Sequence, residues 1–260
     1  MDFLPLQYQE IKPFLIILIR VGVLIFMFPF FNSRVIPVLA KAGLVLIVTI
    51  ILFPVIDSRG FEFPNTLCGI FKMITSEFII GITLGLLIQI LFEGIRMMGQ
   101  VVGFQTGFAI TNILDPQSGT QVSILSNMSY LCAIVLFLLL NGHHILLNAI
   151  RDSFQIINVG SLSLDGRIFQ AILQASGGMF VIAIKIAAPA IAILLFIQVS
   201  FGLITKFIPQ MNIMIVAFPV QIVMGLIFFG ICLNMLLAFM EGYLGNLDAL
   251  LINTMNMLKA

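Results

Sequence analysis

From residue 171 to residue 205 the sequence is apolar for about 35 residues, broken by Gly177-Gly178, Lys185 and Pro189. At 1.5 Å per residue a straight helix of that length far exceeds the ~30 Å hydrocarbon core of a bilayer. The stretch is therefore expected to kink at Pro189, to fold as a hairpin or to protrude from the membrane. Other span-length runs cover residues 13–31, 37–56, about 66 to beyond 92, 122–140 and 213–240. Soluble domains carry roughly a quarter charged residues. This chain carries 9%, with 61% hydrophobic residues and a mean hydropathy of +1.20, so it is of membrane type. The fold class expected is an all-α integral membrane-type protein.

Charges inside such runs must be paired, or must line a wet space. Arg20 sits mid-run and is read as paired with a carboxylate or carbonyl inside a bundle, in preference to a transport role. In the third run Glu77, Gly81, Gly85, Gln89 and Glu93 recur every four residues. Four exceeds the 3.6 residues of a helical turn, so this polar-and-small line winds slowly round the helix, as the rows of steeply crossed helix pairs do. A lipid-facing helix would not carry it. Lys185 joins Arg20, Glu77 and Glu93 as an expected buried charge.

Between two apolar runs, and belonging to neither, lie residues 99–119. Gly99, Gly103 and Gly107 share one strip of a helix, which another backbone can approach closely. Phe108, Ile110, Ile113 and Leu114 follow among small polar residues, and the segment closes with Asp115-Pro116-Gln117-Ser118-Gly119. Pro116 pushes Asp115 out of the helical region, and Asp, Ser and Gly suit a turn. The expectation is a close-packed helix followed by a loop that protein or a water-filled cavity must shield.

The rest of the chain narrows the function. A formal net charge of +1 gives no argument for nucleic acid. Cys68, Cys132 and Cys232 stand in apolar surroundings without a CxxC pair and are expected to be small buried hydrophobes. His143 and His144 point about 100° apart on a helix and cannot chelate one ion as an i, i+4 pair can. Ser153 shows no partner, and GxSxG, HExxH and a phosphate-binding glycine loop are all missing. Catalysis is not expected, nor is a metal or cofactor. A small-solute transporter is the rival reading, because broken helices and buried charges mark such sites; the two halves such folds usually show are lacking. The 14 methionines are either adaptable core filler or a soft lining for a passing chain. With 25 Phe, 3 Tyr and no Trp, the aromatic belt of a lipid-facing bundle is absent, which hints that much apolar surface faces protein. Six basic residues against four on opposite sides leave the orientation open. No cleavable leader is expected, so the first span should stay attached. An amphipathic helix is expected over residues 143–157. The tail, with Leu247, Leu250, Leu251, Met255 and Leu258 at helical spacing, is expected to pack on a partner or the interface.

Read in order, these motifs resemble the FliR family of flagellar type III export-gate proteins, over about residues 15–235. The residues that carry the likeness are GQVVGFQTGFAITNILDP at 99–116, LLLNGHH at 138–144 and DSFQIINVG at 152–160, with Arg20, Pro29 and Pro37-Val38-Leu39-Ala40-Lys41 before them. Glu77-Phe78-Ile79-Ile80-Gly81 with Gly85, Ala188-Pro189, Gly202-Leu203-Ile204 and Ile208-Pro209-Gln210-Met211-Asn212-Ile213 complete it. The resemblance implies a pore-containing helical gate with FliP and FliQ, in which this chain occurs once, with FlhB wrapped round it and FlhA nearby. The gate would pass unfolded flagellar subunits across the bacterial inner membrane at the flagellar basal body. It implies a FliP-like portion over about 1–165, a FliQ-like portion over about 166–245 and an amphipathic tail over about 246–260. It also implies tilted helices that mostly contact other subunits, although membrane lipid is contacted too. The loop 106–122 would plug the closed pore, with Gly103, Phe104, Gly107, Phe108, Ile110, Asn112, Ile113, Leu114, Asp115 and Pro116 as plug or gate residues. Arg20, Glu77, Gly81, Gly85, Glu93, Lys185 and Pro209 would serve assembly. A virulence-secretion (injectisome) relative is the alternative, with the GFQ-x-GF and Asp115-Pro116 pattern favouring the flagellar member.

Overall fold

The computed structural model describes residues 8–31, 36–57, 61, 63–107, 123–162, 166–208, 210 and 213–259. Among them the chain forms seven helices: α1 (Tyr8–Met27), α2 (Val38–Leu52), α3 (Leu67–Gln105), α4 (Ile124–Leu139), α5 (Gly142–Ile156), α6 (Gly166–Phe207) and α7 (Ile213–Leu258). Apart from an isolated bridge between Leu162 and Lys259, the described residues hold no β-structure. The all-α expectation is met, and three helices, α3, α6 and residues 215–258 of α7, are long and apolar enough to cross a bilayer.

Two boundaries differ from the expectation, and the 171–205 run takes one of the courses open to it. The glycine strip at Gly99 and Gly103 is no separate element but the last two turns of the 39-residue α3. The 171–205 run makes no hairpin: it lies inside the 42-residue α6, with Pro189 within the helix. The tail is continuous with the last apolar run in the 46-residue α7. At 1.5 Å rise per residue α6 is about 63 Å long, roughly twice a hydrocarbon core. Tilts of the usual size cannot absorb that excess, so α6 extends beyond the apolar layer.

The helices build two compact units. The first comprises Met1–Gln89, Asn141–Ala175 and Leu244–Ala260. Its core joins Ile16, Ile17 and Val21 of α1 to Ile80 and Leu84 of α3, Ile150 and Phe154 of α5, and Leu247, Leu251, Met255 and Leu258 of α7. The tail thus buries its apolar stripe in its own chain, not on a partner. The second unit comprises Ile90–Leu140 and Ser176–Tyr243. There Phe92 of α3 packs on Phe137 of α4, ring centroids 5.5 Å apart, and Leu194 of α6 and Leu236 and Met240 of α7 are also fully buried. Of the three cysteines only Cys232 is buried; Cys132 is half-buried and Cys68 exposed, against the expectation for both.

Burial is uneven among the long helices. The most apolar stretch of α3 is 61% buried within the chain, that of α6 only 33% and that of α7 only 22%. Large side chains such as Phe196 and Val199 on α6 and Ile215 and Val223 on α7 stand more than half exposed. Apolar surface on this scale needs lipid or another protein against it.

Candidate functional site

Two arrangements gather most of the described residues singled out in the sequence. In the first unit, the four-residue row of α3 lies along α1. Glu77 faces Arg20; a Cβ on Gly81 would stand 2.8 Å from the Val23 side chain, and one on Gly85 would stand 2.6 Å from Met27 Cβ. Numbers rise together along both helices, so α1 and α3 run parallel at this contact. The missing side chains let the helices approach until Arg20 Nε donates to Glu77 Oε2 at 2.6 Å, both side chains fully buried. Arg20 Nη1 donates to Ser153 Oγ at 3.0 Å, and the guanidinium carbon lies 3.9 Å from the centre of the Phe154 ring. The Gly160 N–H donates to the other Glu77 oxygen at 3.4 Å. Ser153, without evident partner in the sequence, therefore has two, for its hydroxyl also donates to the Ile150 carbonyl at 2.7 Å. Arg20 Nη2 is the atom of this cluster left without a hydrogen-bond partner. A buried ion pair ringed by hydrogen bonds holds three segments in one register. It offers no nucleophile with a base.

Beside it in the same unit is an apolar cleft of about 240 Å³ between α1, α2, α3, α5 and α7, lined by Leu24, Val48, Leu84, Leu147 and Leu251 among others. His143 borders it with a buried, unpartnered Nδ1, and its ring centroid lies 4.2 Å from that of His144. The two imidazoles lean on one another instead of diverging fully. No group of three or more metal-ligating side chains occurs among the described residues.

The second arrangement is the glycine seam of the second unit. A Cβ on Gly99 would come within 2.6 Å of the Leu125 carbonyl and the Ser126 Cα, so the first turn of α4 rests on bare α3 backbone. Gly103 abuts the Ser123 side chain just before that turn. Ser126 Oγ donates to the Arg96 carbonyl at 2.9 Å and Ser129 Oγ to the Leu125 carbonyl at 2.7 Å. Small residues on both helices permit this approach. The end of α3 is fixed three times over. Thr106 N–H donates to the Val102 carbonyl at 3.0 Å, and Thr106 Oγ1 to that of Gly103 at 3.0 Å. Gly107 takes φ +85°, the left-handed conformation that ends helices and favours glycine. Its open side is filled by the Phe218 ring, and the Thr106 methyl occupies the notch that Gly225 leaves on α7.

The remaining expected residues are dispersed. Glu93, 38% exposed, pairs with Arg96 at 3.1 Å, and Arg96 lies over Tyr130 at 4.1 Å. Phe104 is 64% exposed. Lys185, expected among the buried charges, is exposed on α6. Phe108, Ile110, Asn112, Ile113, Leu114, Asp115, Pro116 and Pro209 lie outside the described residues, as does Asp165. Ser123, Ser126 and Ser129 were missed, although their spacing of three complements that of the glycines. Thr106, Phe218 and Gly225 carry no signal in the sequence, because only the fold brings residue 106 to residue 225.

Comparison with known proteins puts this architecture in company. The family described as bacterial export proteins, family 1, matches residues 11–247. The flagellar biosynthetic protein FliR of Bacillus subtilis is 29% identical over 252 residues, covering 95% of this chain and 94% of its own. That of Pectobacterium carotovorum is 28% identical over 242 residues, 93% and 92% of the two chains. The Escherichia coli FliR is 28% identical over 209 residues, 80% and 79%.

Proposed function

This chain belongs to family 1 of the bacterial export proteins, and from that premise we propose that it is a structural component of the flagellar type III export gate. In this reading it joins FliP and FliQ in a helical assembly, as a single copy, with FlhB and FlhA as neighbours. The assembly passes unfolded flagellar subunits across the inner membrane at the basal body. The flagellar names of the relatives support this over an injectisome role. The largely uncovered faces of α6 and α7 support a chain built to sit among other subunits.

The observation that carries the gating role is the anchoring on both sides of residues 108–122. Gly103 abuts Ser123, and Thr106 and Gly107 are held against α7, so the segment leaves and rejoins the fold at fixed points. In the proposed closed state Phe108, Ile110, Ile113 and Leu114 fill the lumen, and the Asp115-Pro116 turn sets the direction of return. An apolar constriction stops ions because hydrated charge does not enter it. Opening follows when an arriving secreted segment and the partner subunits favour the displaced loop. The chain's part is conduction and closure, with no bond made or broken. A solute-transporter role draws on the buried charges, but Arg20 and Glu77 are tied to Ser153, Phe154 and Gly160, which supports a structural use of that pair.

Deleting residues 110–118 in cells tests the plug. The expected result is a membrane leaky to small ions. Background conductance together with arrested export would refute it.

A further inference from the structure

Helix α6 presents a charge to its surroundings at the point where an apolar helix tolerates one least. Lys185 is exposed, has no ion-pair partner among the described residues, and lies close to the middle of a 42-residue helix. The same spot is polar in its backbone as well. Pro189 has no N–H to donate to the Lys185 carbonyl, the acceptor one turn earlier. Apolar residues flank it on both sides from 171 to 205, so wherever lipid or an apolar protein surface covers this stretch the ammonium is costly unless it is paired. The residues on its strip are small or slim and equally bare: Gly177, Val181, Ala188 and Ala192 follow at spacings of four, four, three and four. Among the described residues a Cβ at Gly177 would meet nothing within 4 Å, whereas Gly94 and Gly99 in the same unit as Lys185 are filled by Met179 and by α4. A glycine in mid-helix costs about 1 kcal/mol relative to alanine. On α3 close packing accounts for it; on α6 nothing among the described residues does.

We propose that this strip of α6, centred on Lys185, is the docking surface for an apolar helix of another chain that carries an aspartate or glutamate at the matching depth. Small side chains above and below the lysine bring the partner's backbone near enough for a carboxylate to meet the ammonium. The pairing fixes the axial register of the two helices, as a lone polar residue does in other apolar helix pairs. The inference deepens the gate reading by stating the chemistry of one neighbour.

Photocrosslinking in intact membranes tests it. A benzophenone amino acid replaces Val181 or, separately, Ala188, and the adduct is mapped by peptide mass spectrometry. The expected product at both positions is one apolar peptide with Asp or Glu within a turn of the crosslink. Lys185→Glu should lower its yield at least about tenfold, the equivalent of ~1.4 kcal/mol, while Lys185→Arg retains it. Adducts to lipid alone, to a peptide without a carboxylate, or of unchanged yield in Lys185→Glu would overturn the proposal. A carboxylate-bearing helix from a protein that is none of FliP, FliQ, FlhB and FlhA would uphold the docking strip and count against the gate reading instead.

Discussion

Arg20 and Glu77 show how a single ion pair can be indispensable in halves and dispensable as a whole. Desolvating two charges costs several kcal/mol each, and their attraction, with the hydrogen bonds from Arg20 to Ser153 and from Gly160 to Glu77, returns about that amount. Removing one partner leaves a buried charge with nothing to neutralise it. Glu77→Ala or Arg20→Ala should therefore destabilise the protein by roughly 3–5 kcal/mol. Arg20→Met with Glu77→Leu should cost less than either single change. Thermal melting of the detergent-solubilised assembly, run as a double-mutant cycle, decides the matter; additive losses would show that the pair contributes no coupling. Glu77→Gln separates structure from transport, since reduced assembly is expected. Loss of proton-coupled export with assembly intact would instead assign Glu77 a transport role. The sequence made this pair legible in part: an arginine in mid-run demands a carboxylate, and Glu77 heads the row with the right neighbours. Ser153 and Gly160 were not legible, because side-chain type says nothing of which later segment comes to lie against a buried ion pair.

Among the helices, glycine serves packing where its propensity alone argues against helix. The sequence sets residues 99–107 apart from the third apolar run as a close-packed helix leading into a loop, yet Gly99 and Gly103 continue α3 itself, with α4 resting directly on them. The chain ends α3 only at Gly107, where φ turns positive. Proline behaves likewise: Pro189 and Pro219 both sit inside continuous helices, which rules out the hairpin among the courses open to the 171–205 run. Periodicity reports which faces are apolar, but whether a poor helix former is tolerated depends on what packs against it. The contact between α3 and α7 gives a prediction at this scale. A Cβ on Gly225 would collide with the Thr106 methyl. Gly225→Ala should therefore displace the end of α3 at about 1–3 kcal/mol of overpacking strain. If residues 108–122 form the plug, the displacement should raise ion conductance. Thr106→Ser removes the offending methyl and keeps the hydroxyl that donates to Gly103, so Thr106→Ser with Gly225→Ala should be as tight to ions as the wild type. Current recordings from cells carrying each variant test this. A single variant that assembles normally and does not leak would separate the notch from gating.

For the whole molecule, chain order and spatial order part company. The first unit takes its core from both termini, with α1 and the last turns of α7 buried together with α5 and the first half of α3. The sequence showed the stripe of Leu247, Leu251, Met255 and Leu258 clearly, but a stripe does not name its partner, and a place in the chain's own core was not foreseen. The consequence is large. Burying one such side chain stabilises by roughly 1.5–3 kcal/mol, so four together approach the ~5–15 kcal/mol that holds an ordinary domain. Truncation before Leu244 should therefore abolish accumulation of the protein in membranes, even with every partner present. Leu250, half-exposed on the same turns, should tolerate replacement by alanine at under about 1 kcal/mol. Immunoblots of membranes from cells expressing the truncation, Leu251→Ala and Leu250→Ala measure the contrast. Normal levels of the truncated chain would mean that neighbouring subunits, and not these four residues, complete the first unit. Leu251→Ala, by the usual cost of a buried leucine cavity, should fall between the two at about 2–5 kcal/mol. That graded order distinguishes a core from a detachable tail, because a tail held only by partners would show no difference between the inward Leu251 and its half-exposed neighbour.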